Sequence, residues 1–348
     1  MRLLQNVRFA IRQVSKSPGF AITTILTIAL GIGATTAIFS LVNTVLLRPL
    51  PFSESDRLMS VQSSNDRFRH SGFDPGSSMS YPDFSDFRAH NKSFFGLACY
   101  HSRSFALTGS GEPHHLDGQV VASDFFRILG VNPALGRDFN ADDEKPRAES
   151  VMLSHDLWAS TLGSASDAVG RSINLDGKSF TVVGVMPQGF EFPIETPAPQ
   201  LWISVGDEAY SPDNEPITGE RGAHFLDVIG RLKPGVSPSQ AEADLTVIAR
   251  NLVGQYPDTN RHFVGVVVRS EISNLVGEAR PALHLLFAAV SFVLLIACAN
   301  VAGLLLARSS RRRGEIAIRS ALGPTAGRSF AKCLWSRFCW RSAGVRWA

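Results

Sequence analysis

Several kinds of chemistry are missing from this chain. Of its 4 cysteines only Cys99 falls between residues 48 and 280. That segment therefore holds no internal disulfide and rests on its own apolar core. No Gly-x-Ser-x-Gly elbow occurs anywhere, which removes the usual mounting of a serine nucleophile. The nearest approach to a phosphate loop is Gly177-Lys178-Ser179, but the glycine needed five residues earlier is Ser172. Asp176-Gly177 reads instead as a hairpin turn between two strands. His114 and His115, with Asp117 nearby, are adjacent on an expected strand and point to opposite faces, so they do not converge on one ion. Ser154-His155-Asp156 has the residue types of a catalytic triad, but triads are assembled by the fold and not by adjacency; Ser154 is better placed as a helix cap. The chain is expected to have no catalytic site, no metal site and no cofactor of its own.

Charge is missing from two long stretches, Phe20 to Leu47 and Leu285 to Ala307. As a helix rising 1.5 Å per residue, the first reaches about 42 Å, against a hydrocarbon core of about 30 Å. Acid is nearly missing from both ends. Residues 1–19 carry Arg2, Arg8, Arg12 and Lys16 and no acid, and residues 308–348 carry 10 basic residues against Glu315 alone. Residues 48–280 hold 20 basic and 30 acidic residues. Short basic flanks stay in the cytoplasm. The pattern predicts a membrane protein with both termini inside, spans at 20–47 and 281–307, and an extracytoplasmic domain at 48–280. The overall charge of +3 conceals segment charges of +4, −10 and +9, and nothing in it suggests nucleic acid. The first run far exceeds a signal-peptide core and lacks a small-x-small cleavage site, so it is expected to stay as an anchor.

Within residues 1–19, Leu3, Val7, Ile11 and Val14 recur at helical spacing beside an Arg8, Arg12, Lys16 stripe, which predicts an amphipathic helix on the membrane surface. In the spans, Ala29, Gly33 and Ala37 are four apart, as are Ala299, Gly303 and Ala307. Such faces allow close helix packing, and Asn300 is suited to bridge helices.

The segment between the spans reads as α+β. Strands are expected at 57–62, 97–107, 116–121, 151–153, 172–175, 180–185, 225–232 and 263–268, with helices at 81–90 and 123–129. The run Ser237-Pro238-Ser239-Gln240 is a capping box with proline at the first helical position, ahead of Ala241, Leu245, Ile248 and Leu252 on one face. Strand 225–232, this helix and strand 263–268 make a βαβ-like unit. Residues 136–221, rich in Gly and Pro, read as a β-rich inserted subdomain.

The most specific motif is Arg313-Gly314-Glu315-Ile316-Ala317-Ile318-Arg319-Ser320-Ala321-Leu322-Gly323. Glu315 and Arg319 are spaced for an i,i+4 pair, and Gly323-Pro324 ends the helix. This segment resembles the cytoplasmic coupling helix of MacB/FtsX-like ABC transporter permeases, in the subgroup without a fused ATPase. The resemblance extends over about residues 5–323. It is carried by Ser17-Pro18-Gly19-Phe20, Leu46-Leu47-Arg48-Pro49-Leu50-Pro51, Tyr81-Pro82-Asp83-Phe84, Leu129-Gly130-Val131-Asn132-Pro133, Val183-Gly184-Val185-Met186-Pro187, Arg231-Leu232-Lys233-Pro234-Gly235 and Ile296-Ala297-Cys298-Ala299-Asn300-Val301-Ala302. It implies a non-catalytic inner-membrane permease subunit that dimerises and pairs with a cytoplasmic ATP-binding subunit, where ATP and Mg²⁺ would be bound. A periplasmic or outer-membrane partner is implied as well. Arg313, Glu315, Ile316, Arg319 and Leu322 would pass ATP-driven motion to the outer domain for efflux or extrusion. From Phe330 to Ala348 the family pattern stops and no span-length run follows, so a truncated or frameshifted gene is expected, with the four-span permease half incomplete and its activity left open. A two-span receptor or scaffold with a ligand-binding outer domain is the alternative.

Overall fold

The computed structural model describes residues 18–42, 50–66, 76–109, 113–211, 215–277 and, with three short breaks, 282–306. The chain divides into two compact units, residues 1–45 with 279–348, and residues 46–278.

In the first unit, α1 runs from Pro18–Val42. Among the described residues one helix, Leu285–Gly303, is long and apolar enough to cross a bilayer, while the apolar stretch of α1, Ile25–Ser40, is shorter. Large apolar side chains on both helices are exposed, among them Leu26, Leu30 and Phe39 on α1 and Leu285, Phe292 and Leu295 on the other. A Cβ added at Gly31 would stand 3.3 Å from Leu294 Cδ1 and 3.5 Å from Ala297 Cβ, so the two helices meet at Gly31. The Thr35 hydroxyl turns back onto the Gly31 carbonyl at 2.7 Å, hiding its polar group within the helix.

The second unit is an α+β domain. Its elements are β1 (Leu58–Ser64), α2 (Tyr81–His90), β2 (Phe94–Thr108), β3 (His114–Val121), α3 (Phe125–Leu129), β4 (Leu135–Gly136), β5 (Ser150–Leu153) and α4 (His155–Leu162). There follow β6 (Ser172–Leu175), β7 (Lys178–Val185), β8 (Leu201–Ser204), β9 (Asp227–Leu232), α5 (Pro238–Gln255), α6 (Pro257–Asn260), β10 (Gly265–Ser270) and α7 (Glu271–Val276). All 10 strands join one sheet in the order β10-β1-β9-β2-β3-β8-β5-β7-β4, with β6 paired to β2 and β7.

The first four strands in that order are antiparallel neighbours. Hence β1 and β2 are parallel with β9 between them, and β9 and β10 are parallel with β1 between them. The expected βαβ-like unit is thus a split one, interlocked with a second built from β1, α2 and β2. Local sequence explains both helices. The Ser80 side chain accepts from Asp83 N at 3.3 Å, with Arg88 and His90 in the last turn, where cations suit the carbonyl end. Ser237 and Gln240 cap each other reciprocally ahead of α5. The two helices bury Phe84, Phe87, Ala241, Leu245, Ala249 and Leu252, each large side chain contributing about 1.5–3 kcal/mol.

Everything from Gly109 to Leu226 connects β2 to β9. The strands from residues 136–221 continue the same sheet: β8 lies parallel on β3, β5 antiparallel on β8, and β7 parallel on β5. They have an apolar cluster of their own around Phe105, Leu116, Val151, Phe180, Leu201 and Ile203. Rings seam the main cluster beneath: Phe126 lies 5.7 Å from Trp202, and Tyr100 lies 5.6 Å from Phe125 and 5.8 Å from Phe192. Strand β8 has no counterpart among the expected elements. All four of its residues are buried, so it carries no alternation to mark it as a strand. At Gly136, φ is +78° and an added Cβ would collide with the Val183 carbonyl; only glycine fits where β4 crosses β7.

Candidate functional site

Strand alternation and register set which side chains the outer domain presents together. Ser102 pairs with Gln119 and Ser104 with Asp117 across β2 and β3, so these four share one face. The 190s loop brings Glu195, Thr196 and Pro197 over them and closes a cleft of about 210 Å³. The Gln119 amide donates to Ser102 Oγ at 3.0 Å and to Glu195 Oε1 at 2.5 Å. Arg103 also borders the cleft, and its guanidinium meets Asp207 at 3.0 Å, Asp176 at 3.4 Å and Glu208 at 3.6 Å. Lys178 reaches the same Asp207 at 2.9 Å. The Glu195 carboxyl is raised above its ordinary value, first by partial burial and then by the charges of Asp117 and Asp227, against the hydrogen bonds from Gln119 and Ser102.

Away from the cleft, ion pairs brace elements that are distant in sequence. Arg88 of α2 grips Glu144 through two bonds of 2.9 Å each, and Ser123 N donates to the same carboxylate at 2.7 Å. Burial opposes ionisation of Glu144, but these bonds hold it below its ordinary value. Asp143, against the same burial penalty, is also held low by Arg137, Ser150 and Asn140. Arg221 binds Asp83 at 2.5 Å and Asp86 at 2.8 Å and lies over the Tyr256 ring. Arg231 donates to the carbonyls of Ile128, Ser53 and Glu54. Bidentate and multiply shared bonds of this kind fix orientation as well as distance. These bonds tie together segments of the domain that are far apart in sequence.

The residues singled out for enzyme chemistry have structural roles. Asp176-Gly177 is the turn joining β6 to β7, with φ of 53° and 79°. Ser154 caps α4 by accepting from Leu157 N at 3.1 Å. His115 and Asp117 stand 3.9 Å apart, and no group of three metal-ligating side chains occurs among the described residues.

Of the small residues expected at helix contacts, Ala29, Gly33, Ala37, Ala299 and Gly303 are exposed. A Cβ at Gly33 or Gly303 would have nothing within 4 Å. A contact within the chain runs through Gly31, Leu294 and Ala297, on a different face of each helix. Asn300 and the segment with Arg313, Glu315, Ile316, Arg319 and Leu322 lie outside the described residues. The cleft and the ion-pair braces were not expected from sequence.

Comparison with known proteins gives a family. Residues 21–248 match the family model described as MacB-like periplasmic core domain. The macrolide export ATP-binding/permease protein MacB of Salmonella typhi is 24% identical over 226 residues, 65% of this chain and 33% of that protein. The MacB of Chromobacterium violaceum is 28% identical over 211 residues, 60% of this chain and 30% of its own length. The chain thus spans about a third of these curated relatives. Among solved structures, the periplasmic region of MacB from Actinobacillus actinomycetemcomitans is 12% identical, aligned over 68% of this chain and 98% of that one, with a TM-score of 0.46. The extracellular domain of the ABC-type transporter YknZ from Gram-positive bacteria, also 12% identical, aligns over 61% of this chain and 99% of that one with a TM-score of 0.42.

Proposed function

Since the match over residues 21–248 covers most of the chain, it belongs to the MacB-like periplasmic core domain family, and from that premise we propose that it is a permease subunit of a MacB/FtsX-type ABC transporter in the inner membrane. The observation that carries this reading is the reach of the match, which begins inside α1 and runs through β9 into α5. An apolar helix and the outer domain therefore belong to one familial unit. In this reading α1 and the Leu285–Gly303 helix both span the membrane, with the N-terminus inside and the α+β domain outside, as the charge pattern supports. Two copies pair, and the exposed Gly33 and Gly303 faces are available to a partner helix.

In this reading, as the resemblance implies, ATP hydrolysis falls to a separate cytoplasmic subunit, engaged through Arg313, Glu315, Ile316, Arg319 and Leu322. In this reading motion of the helices is passed along the chain into β1 and β10. Strand β1, which follows α1, pairs directly with β10, which precedes the second helix, and Met59 lies opposite Ser270. A displacement of either helix is thus applied to two hydrogen-bonded neighbours, and the braced domain turns as one piece. The work done is the movement of a substrate or partner outside the membrane.

The test is purification of the tagged full chain from its native membrane in detergent, with mass spectrometry of its companions. Recovery of an ATP-binding subunit, lost in a Glu315→Ala, Arg319→Ala chain that still inserts normally, is the expected result. A chain recovered alone refutes the transporter reading and favours a two-span receptor or scaffold.

A further inference from the structure

Helix α7 is the short element between β10 and the apolar helix that follows, and its first residue is a buried acid. Only 1% of Glu271 is exposed, and neither carboxyl oxygen has a hydrogen-bond partner. A carboxylate in a first helical turn is ordinarily favoured by the helix dipole, but this one is withdrawn from water. The groups around it do not compensate. Asp227, at the exposed start of β9, opposes its ionisation, and Arg269, the basic residue of β10, is not bonded to it. Tyr100 of β2 lies opposite Asp227 in the register, near enough that the charges of Glu271, Asp227 and Glu195 add to burial in raising its hydroxyl. His101 favours the charged form of Asp227 but is itself held by Glu208 at 2.9 Å. Strand β1, the other strand against α7, brings no titratable side chain. A protonated carboxyl tolerates this setting, whereas a carboxylate without donors does not.

We propose that α7 is a proton-controlled latch, docked on β1 and β10 while Glu271 is protonated and released from them when it ionises. The helix has little else to hold it. Its 6 residues are too few for a helix to persist alone in water. Ser270 caps it by accepting one bond, from Ser273 N at 3.3 Å, and its Ile272 and Leu275 are only partly buried against the main apolar cluster. Ionisation is relieved when the carboxylate swings into water, which needs the first turn of α7 to leave the sheet but none of the strands to part. The direction of the response follows from the Glu271 pKa, raised by burial and then by the Asp227 charge from 4.5 to about 7. Docking is at full strength below about pH 4.5 and weakens until pH passes about 7. Between about pH 5 and pH 8 the docking equilibrium changes about 70-fold. The latch rests on residues 46–278 alone and does not depend on the transporter reading.

The test is hydrogen exchange of the purified full chain in detergent from about pH 5 to pH 8, read by mass spectrometry on peptides covering α7 and β2 and corrected for the pH dependence of exchange in free amides. In the natural chain, protection of α7 should fall about 70-fold over that range and stay below that of β2 throughout. Glu271→Gln, which mimics the protonated carboxyl, should keep the protection of α7 level. Protection of α7 that ignores pH in the natural chain, or that falls equally in Glu271→Gln, overturns the role of Glu271. A single protection shared by α7 and β2 at every pH overturns the latch, since the helix then opens only with the whole domain.

Discussion

Replacing Glu271 by Gln should make the outer domain more stable at neutral pH, and by a calculable amount. Glu271 opens α7 with only 1% of its surface exposed, and both carboxyl oxygens are buried without hydrogen-bond partners. Burial, aided by the charge of Asp227, pushes its pKa up from 4.5 to about 7. The folded state therefore holds the proton more tightly than the unfolded chain. Its contribution is fully present below about pH 4.5, declines as pH rises, and is lost once pH passes about 7. At 1.36 kcal/mol per unit, the cost of ionisation above pH 7 is about 3 kcal/mol. Gln cannot ionise, so Glu271→Gln should gain about that much at pH 8 and nearly nothing at pH 4.5. For a domain of this size that is a rise in melting temperature of about 5–10 °C. The assay is thermal unfolding of the full chain in detergent, followed at the domain's strands by hydrogen exchange, for both proteins from pH 4.5 to 8. Parallel profiles across that range would refute the reasoning, since the buried carboxyl would then carry no linked proton.

On the acid side, Asp143 and Glu144 are held below their ordinary values, so their stabilisation is present above about pH 4 and lost as pH falls further; Asp143→Asn should flatten the acid limb of the same melting profile, and an unchanged limb would contradict it. Arg88→Met removes two 2.9 Å bonds to Glu144 and should cost about 2–3 kcal/mol in denaturant titrations, less when Glu144→Gln is present as well; equal losses in the two backgrounds would show no coupling. The 3.5 Å from a Cβ at Gly31 to that of Ala297 lies within disulfide reach. Gly31→Cys with Ala297→Cys, in a Cys298→Ser chain, should therefore crosslink on oxidation, and failure to do so would place the helix contact elsewhere.

Much of the outer fold could be read from residues with local causes. The Ser80 and Ser237 caps and the Asp176-Gly177 turn act over a few residues, and the structure places helices and hairpin where they lead. Two kinds of feature could not be read this way. Strand β8 is buried on both faces and so lacks a period. The split arrangement of β1, β9 and β10 depends on pairing between strands about 170–210 residues apart, and no local signal encodes which strand will lie between two others. The helix contact failed to show for a different reason. Small residues at four-residue spacing recur on more than one face of α1, and spacing alone does not choose between Gly31 and Gly33.

The cleft shows the same limit at the scale of a site. Asp117 and Gln119 lie on one strand, two residues apart, and alternation alone puts them on one face. Glu195 comes from a loop 76 residues further on, held there by the Gln119 amide. In sequence Asp117 stood out only as a neighbour of two histidines, and nothing marked Glu195 at all. What joins them is a buried amide whose nitrogen is fully engaged and whose oxygen is not. That asymmetry arises only once β2 and β3 have paired and the loop has closed over them.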